Sequence, residues 1–84
     1  MAHDPLLNIP NVGPATASDL RKLGIGRPND LHGRDPRALY TRLCHLDGQL
    51  HDPCVEDVFA AAIHFVETGE SLKWWVFSRK RKGQ

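Results

Sequence analysis

The chain has no apolar run of membrane length and no signal-peptide pattern at its first residues, so we expect a soluble, cytoplasmic protein without membrane contact. It has only two cysteines, Cys44 and Cys54. These are too few for a disulfide scaffold, and both are expected to be thiols in a reducing cytosol. With 84 residues, there is room for one domain and a modest core, but not for a deep catalytic cleft as well.

Catalytic arrangements are also missing. The sequence has no Ser-His-Asp order, no glycine-rich nucleotide loop and no pair of carboxylates placed with a base. Glu56 and Asp57 are adjacent in a helical pattern, where neighbouring side chains diverge by about 100°. We therefore expect no enzymatic activity, no cofactor and no small-molecule substrate.

Strand patterns are scarce, since only the short segment 74–77 is ambiguous. Asp-Pro pairs at Asp4, Asp35 and Asp52 each place a capping side chain before a proline, which is typical of helix starts. The sequence predicts an all-α fold of about five short helices. The predicted helical segments lie near 5–9, 14–23, 36–46 and 53–68, with single turns at 27–31 and 72–75.

The longest of these segments, 53–68, has a wide apolar stripe at helical spacing and is the expected centre of the core, with the N-terminal helices packed on it. Its apolar residues are Val55, Val58, Phe59, Ala62, Ile63 and Val66. On the 36–46 helix, Leu39, Leu43 and Leu46 share a face. We expect one domain over residues 1–77 and a basic, disordered tail over residues 78–84.

Charge is unevenly distributed although the net charge is only +1. Residues 43–72 hold six acids and no Lys or Arg, whereas residues 73–84 hold five bases and no acid. Residues 1–42 carry six bases and four acids. A protein that captures DNA by broad electrostatic attraction would usually be more basic.

The segment Pro10-Asn11-Val12-Gly13-Pro14 predicts a tight turn between two helices. Because Asn and Gly enter positive φ at the lowest cost, Asn11 and Gly13 are expected to be left-handed, with Val12 pointing inward. Pro14 suits the first position of the next helix. Several backbone N–H groups would then lie side by side at a helix N-terminus, which favours anion binding.

Residues 9–17 read Ile-Pro-Asn-Val-Gly-Pro-Ala-Thr-Ala and resemble the hairpin of helix-hairpin-helix DNA-binding elements, usually Pro-Gly-hydrophobic-Gly-Pro-Lys-Thr-Ala. The resemblance implies that backbone amides hold a DNA phosphate without reading sequence. Asn11 replaces the first glycine, and Ala15 replaces the frequent lysine, so a side-chain cation is lost. The DNA-binding residues expected from the turn and this resemblance are Asn11, Val12, Gly13, Pro14, Ala15, Thr16, Arg21 and Lys22.

A longer resemblance covers most of the chain. Its blocks are Leu-Gly-Ile at 23–25, Asp-Leu at 30–31, Asp-Pro-Arg-Ala-Leu-Tyr-Thr-Arg-Leu-Cys at 35–44, Asp-Pro-Cys-Val-Glu-Asp-Val-Phe at 52–59 and Leu-Lys-Trp-Trp at 72–75. In their order and spacing they are similar to the small bacterial pathogenicity-locus family, sometimes labelled mitomycin-resistance-like. The resemblance implies a small helix-hairpin-helix protein and specifies no activity.

Two further clusters have alternative interpretations. One cluster could hold a tetrahedral metal ion, because its spacing allows thiolates and an imidazole to meet; it consists of Cys44, His45, His51 and Cys54. The favoured interpretation is that the two cysteines are buried thiols at a helix junction, since zinc fingers use more closely spaced pairs. Trp74 and Trp75 could stack on an unpaired base. The favoured interpretation is that the two rings close the core, with one Trp buried and the other partly exposed.

The sequence therefore predicts sequence-independent DNA binding through the turn, as an accessory to DNA maintenance. The alternative is a protein-interaction module in which the hairpin is purely structural, and the acidic helix or the Trp-bearing end docks a partner.

Overall fold

The computed structural model describes residues 4–82. These residues form four α-helices and two 3₁₀ turns, and they include no strand, which confirms the all-α fold class. The helices are α1 (Pro14–Lys22), α2 (Pro36–Asp47), α3 (Cys54–Thr68) and α4 (Trp74–Lys82), and the 3₁₀ turns are Pro5–Asn8 and Pro28–Leu31. None of these helices is long and apolar enough to cross a membrane.

The three Asp-Pro pairs begin helical elements as the sequence predicts. The carboxylate of Asp4 accepts a hydrogen bond from the Leu6 N–H at 3.0 Å. Asp35 and Asp52 accept equivalent bonds from the residue two positions on, at 3.2 Å and 2.9 Å. Each bond satisfies one of the N–H groups that the first turn of a helix leaves without an intrahelical partner.

One buried apolar cluster joins the elements from the first 3₁₀ turn to α3. Helix α3 packs against α2, α4 and the second 3₁₀ turn. Helix α1 packs against the first 3₁₀ turn. The cluster consists of Leu6, Ile9, Val12, Ala17, Leu20, Leu23, Ile25, Leu31, Leu39, Leu43, Phe59, Ala62 and Ile63. Full burial of a single Leu, Ile or Phe stabilises the fold by roughly 1.5–3 kcal/mol.

The predicted apolar faces are correct in part. On α3, Phe59, Ala62 and Ile63 are buried, and the other three stripe residues are half-buried. On α2, the spacing placed Leu46 on one face with Leu39 and Leu43; those two are buried, whereas Leu46 is 53% exposed. It lies in the last turn of α2, where the helix extends beyond the core.

The prediction of a disordered basic tail is wrong for residues 78–82, which form the second half of α4. Ser78 is buried, and Arg81 donates two hydrogen bonds to the buried Asp57 of α3. The buried carboxylate of Asp57 thus holds residues 78–82 in place, although that segment has no apolar residue. The predicted boundary at residue 77 falls inside a helix, and residues 83–84 of the predicted tail lie outside the described residues.

Candidate functional site

The chain reverses direction at Asn11, which has a φ of 73° and is the one non-glycine residue with positive φ among residues 4–82. The next residue, Val12, is 8% exposed and belongs to the core. Its N–H donates to the Ile9 carbonyl at 3.1 Å. These observations confirm the predicted left-handed Asn11 and the inward-pointing Val12.

Gly13 corrects the prediction of a second left-handed residue. Its φ of −98° and ψ of −177° are extended, and it serves as the N-cap of α1. Because Asn11 alone turns the chain, Gly13 has only to lead into the helix, where its carbonyl accepts from the Ala17 N–H at 2.9 Å. A Cβ added at Gly13 would meet no atom within 4 Å, so open space lies above this residue.

We name residues 11–16 the amide turn. No side chain caps α1, and the backbone N–H groups of Gly13, Ala15 and Thr16 have no acceptor within the described part of the chain. Pro14, at the first helical position, has no N–H to satisfy, and both it and Ala15 are exposed. Three unpaired donors at the positive end of a helix dipole can together bind one oxyanion.

The side chain of Asn11 fixes the amide turn to a distant segment. Its Nδ2 donates to the carbonyl of Leu72 at 2.7 Å, across 61 residues of sequence. Lys73 follows immediately, is exposed and has no carboxylate partner among residues 4–82. Sequence reasoning missed Lys73 as a cation near the turn, because no local pattern signals so distant a contact.

Arg21 and Lys22, the two predicted DNA-binding cations, lie away from these amides. Both are in the last turn of α1, roughly 9–11 Å along the helix from Ala15 at about 1.5 Å per residue. Arg21 is paired with Asp4. Lys22 Nζ lies 3.0 Å from Asp47 Oδ1. The structure therefore brings residues 11–16 of the predicted site together and separates its two cations, which are engaged by carboxylates.

The Cys-His cluster surrounds the loop after α2. Cys44 and Cys54 are half-buried and form no disulfide bond with each other. His51 donates its backbone N–H to Cys44 Sγ at 3.4 Å, and its ring Nε2 lies 2.7 Å from Asp47 Oδ2. His45 is exposed. Within residues 4–82, no three His, Cys, Asp or Glu side chains are grouped as a metal ion would require.

Hydrogen bonds lower the pKa values of two acids, Asp47 at the end of α2 and Asp30 in the second 3₁₀ turn. Bonds from Lys22 and then His51 hold the pKa of Asp47 below its ordinary value. The backbone N–H groups of Gly26 and Arg27 do the same for the pKa of Asp30. Asp47 thus joins α2 to α1 and to His51, whereas Asp30 caps the start of the second 3₁₀ turn, and neither carboxylate lies in the amide turn.

Comparison with known proteins places the chain in a family. The family model described as pathogenicity locus, Cdd1, matches residues 2–83. Mitomycin resistance protein McrB of Streptomyces lavendulae is 34% identical over 77 residues, which cover 92% of this chain and 73% of that protein. No solved structure matches the chain. Since the family model spans nearly the whole sequence, the chain belongs to the pathogenicity locus family.

Proposed function

We propose that this protein binds DNA without sequence preference, by holding a backbone phosphate on the amide turn of a helix-hairpin-helix element. The observation that carries the proposal is the set of N–H groups on Gly13, Ala15 and Thr16, which have no acceptor within residues 4–82. Phosphate contacts position a protein on DNA and carry no base information. Binding through main-chain donors is therefore indifferent to sequence.

The charge distribution supports a local contact rather than broad attraction. The net charge is only +1, and Arg21 and Lys22 are paired with carboxylates. Lys73 directly follows Leu72, whose carbonyl accepts the hydrogen bond from Asn11, and is the cation next to that contact in sequence. Few phosphates would be neutralised, so we expect modest affinity and a shallow dependence on salt. We further propose that the protein is an accessory in DNA maintenance and a binding module, not an enzyme.

Two alanines provide a matched test of the turn. Ala15 and Ala38 are both exposed in the first turn of a helix, α1 and α2 respectively. A glutamate there suits the helix dipole, so Ala15→Glu and Ala38→Glu should both fold. We expect Ala15→Glu to weaken binding of a labelled duplex, because its carboxylate repels the phosphate, whereas Ala38→Glu binds like the wild type.

The reverse charge change gives the opposite result. Ala15→Lys should raise affinity and steepen the slope of log K against log salt by about one, whereas Ala38→Lys should leave both unchanged. Equal effects at the two positions would show general electrostatics and would contradict a phosphate site at the amide turn.

A second candidate, a protein-interaction module, is favoured by one apolar surface. Leu46 and Leu50 are 53% and 87% exposed. Leu50 also lines a shallow concavity of about 310 Å³, together with Cys44, His45, Gly48 and Gln49. Salt distinguishes the two functions, because apolar association does not weaken as salt rises, whereas phosphate binding does.

A further inference from the structure

Trp75 exposes 46% of its surface at the start of α4. Its neighbour Trp74 is half-buried, and the two ring centroids lie 5.9 Å apart with an interplanar angle of 80°. This arrangement corrects the prediction that one of the two tryptophans is buried, because neither is. The edge contact with Trp74 orients the Trp75 ring while much of it remains in solvent.

Two cations without carboxylate partners in the described part of the chain are close to Trp75 in sequence. Arg79 lies four residues after Trp75, on the same side of α4, and Lys73 lies two residues before it. Both are exposed and have no carboxylate partner in the part of the chain that the structure describes. The other α4 cations for which the structure gives contacts are engaged, since Arg81 binds Asp57 and Lys80 Nζ lies 5.5 Å from the centroid of the Phe77 ring.

Trp75 follows closely after the residue that contacts the amide turn. The carbonyl of Leu72 accepts the Asn11 side chain, and Trp75 follows three residues later. Three residues span at most about 10 Å. One nucleic-acid strand is long enough to reach both features, because successive bases of a strand rise by about 3.4 Å.

We propose that Trp75 stacks on an unpaired base of a strand whose phosphate is held by the amide turn, with Lys73 and Arg79 beside the adjoining phosphates. The preferred ligand is then DNA with a single-stranded portion, because a base inside an intact duplex has both faces covered by its neighbours. An aromatic ring flanked by cations accepts any base, since every base presents a π-face. The inference rests on the proposed function and specifies its ligand.

The test compares two labelled ligands, a blunt duplex and the same duplex with a short single-stranded gap, at low and moderate salt. The wild-type protein should prefer the gapped DNA. Trp75→Ala should weaken gapped-DNA binding by about tenfold and leave blunt-duplex binding unchanged, whereas Trp75→Phe should retain most of the affinity. Thermal unfolding of each variant verifies that it folds.

Arg79→Ala tests the contribution of the cations, and Arg42→Ala is its matched control because Arg42 is an exposed arginine on α2, a different helix. Only Arg79→Ala should weaken binding of the gapped DNA. Equal wild-type affinity for both ligands, or equal losses on both in Trp75→Ala, would overturn the stacking inference and leave the phosphate site standing. Failure of the wild-type protein to bind either DNA would overturn the proposed function together with this inference.

Discussion

Arg81 of α4 donates two hydrogen bonds to the carboxylate of Asp57 on α3, through Nε and Nη2, each at 3.0 Å. Asp57 is 2% exposed, whereas the Arg81 side chain is 26% exposed. The bond to Asp57 raises the pKa of Arg81 above its ordinary value. This bidentate geometry fixes the orientation of the guanidinium on the carboxylate as well as the distance between them. The pair therefore holds the basic end of α4 against the core.

Removing the arginine should cost more than neutralising the acid. Arg81→Ala leaves the carboxylate of Asp57 buried and unpaired, which costs on the order of 3 kcal/mol of unfolding free energy. Asp57→Asn should cost less, because the freed guanidinium can turn toward water. Chemical denaturation at pH 7 measures both, and Arg79→Ala, an exposed change in the same helix, is the control. Equal stability of Arg81→Ala and Arg79→Ala would contradict a docked α4.

Asn11 has two structural roles that substitution separates. Asn11→Gly keeps the positive φ but loses the hydrogen bond to Leu72, and should destabilise the fold by about 1 kcal/mol. Asn11→Ala loses the bond and also strains the left-handed backbone, which adds roughly 1–2 kcal/mol. Denaturant titration of both variants gives the difference. If Asn11→Gly matched the wild type, the side-chain tie to the segment before α4 would not contribute to stability.

Gly13 and Gly24 should respond oppositely to valine. Gly13 is extended with open space above it, so Gly13→Val should fold normally, and its branched side chain should obstruct a phosphate approaching the amide turn. Gly24 has a φ of +87°, and Gly24→Val should destabilise the fold by roughly 1–2 kcal/mol. Thermal unfolding and duplex binding of both variants check this. Intact DNA binding in Gly13→Val would argue against phosphate at these amides.

Asp47 should make stability sensitive to acid. Its pKa is lowered by bonds from Lys22 and His51, so its stabilising contribution is present above the unfolded pKa and is lost as the pH falls through the folded pKa. Asp47→Asn should be less stable than the wild type at pH 7, and the difference should shrink below about pH 4. A difference that persists unchanged at pH 3 would contradict this origin.

The Cys-His cluster is expected to hold no metal. Protein purified without added metal should contain no stoichiometric zinc, and a strong chelator should leave its thermal unfolding unchanged, because a structural zinc would contribute folding free energy directly. One equivalent of zinc by elemental analysis, with unfolding by chelator, would move the functional site to the loop around Gly48.

Local features of the fold were predictable from sequence because their causes are local. The Asp-Pro pairs begin helices through bonds that reach two residues, as at Asp35 and Arg37. The left-handed conformation of Asn11 and the burial of Val12 follow from residue type and spacing. The amide turn was therefore located correctly, although Gly13 was assigned the wrong backbone conformation.

Features that depend on distant contacts were not predictable. In the sequence, Asp57 is one of two adjacent acids in a helical pattern, and no local pattern indicates that an arginine 24 residues later pairs with it in the core. The same applies to Leu72, which the side chain of Asn11 reaches across 61 residues. Arg21 and Lys22 were identified as cations, but their carboxylate partners become apparent only in three dimensions.

Backbone amide chemical shifts during titration with duplex DNA test the phosphate site most directly. With protein labelled uniformly with nitrogen-15, the N–H signals of Gly13, Ala15 and Thr16 should show the largest shifts, and raising the salt should reverse them. The N–H groups of α2 near Leu46 serve as internal controls and should move little. Shifts centred on Leu46 and Leu50, or no shifts at the amide turn while DNA is bound, would contradict the account.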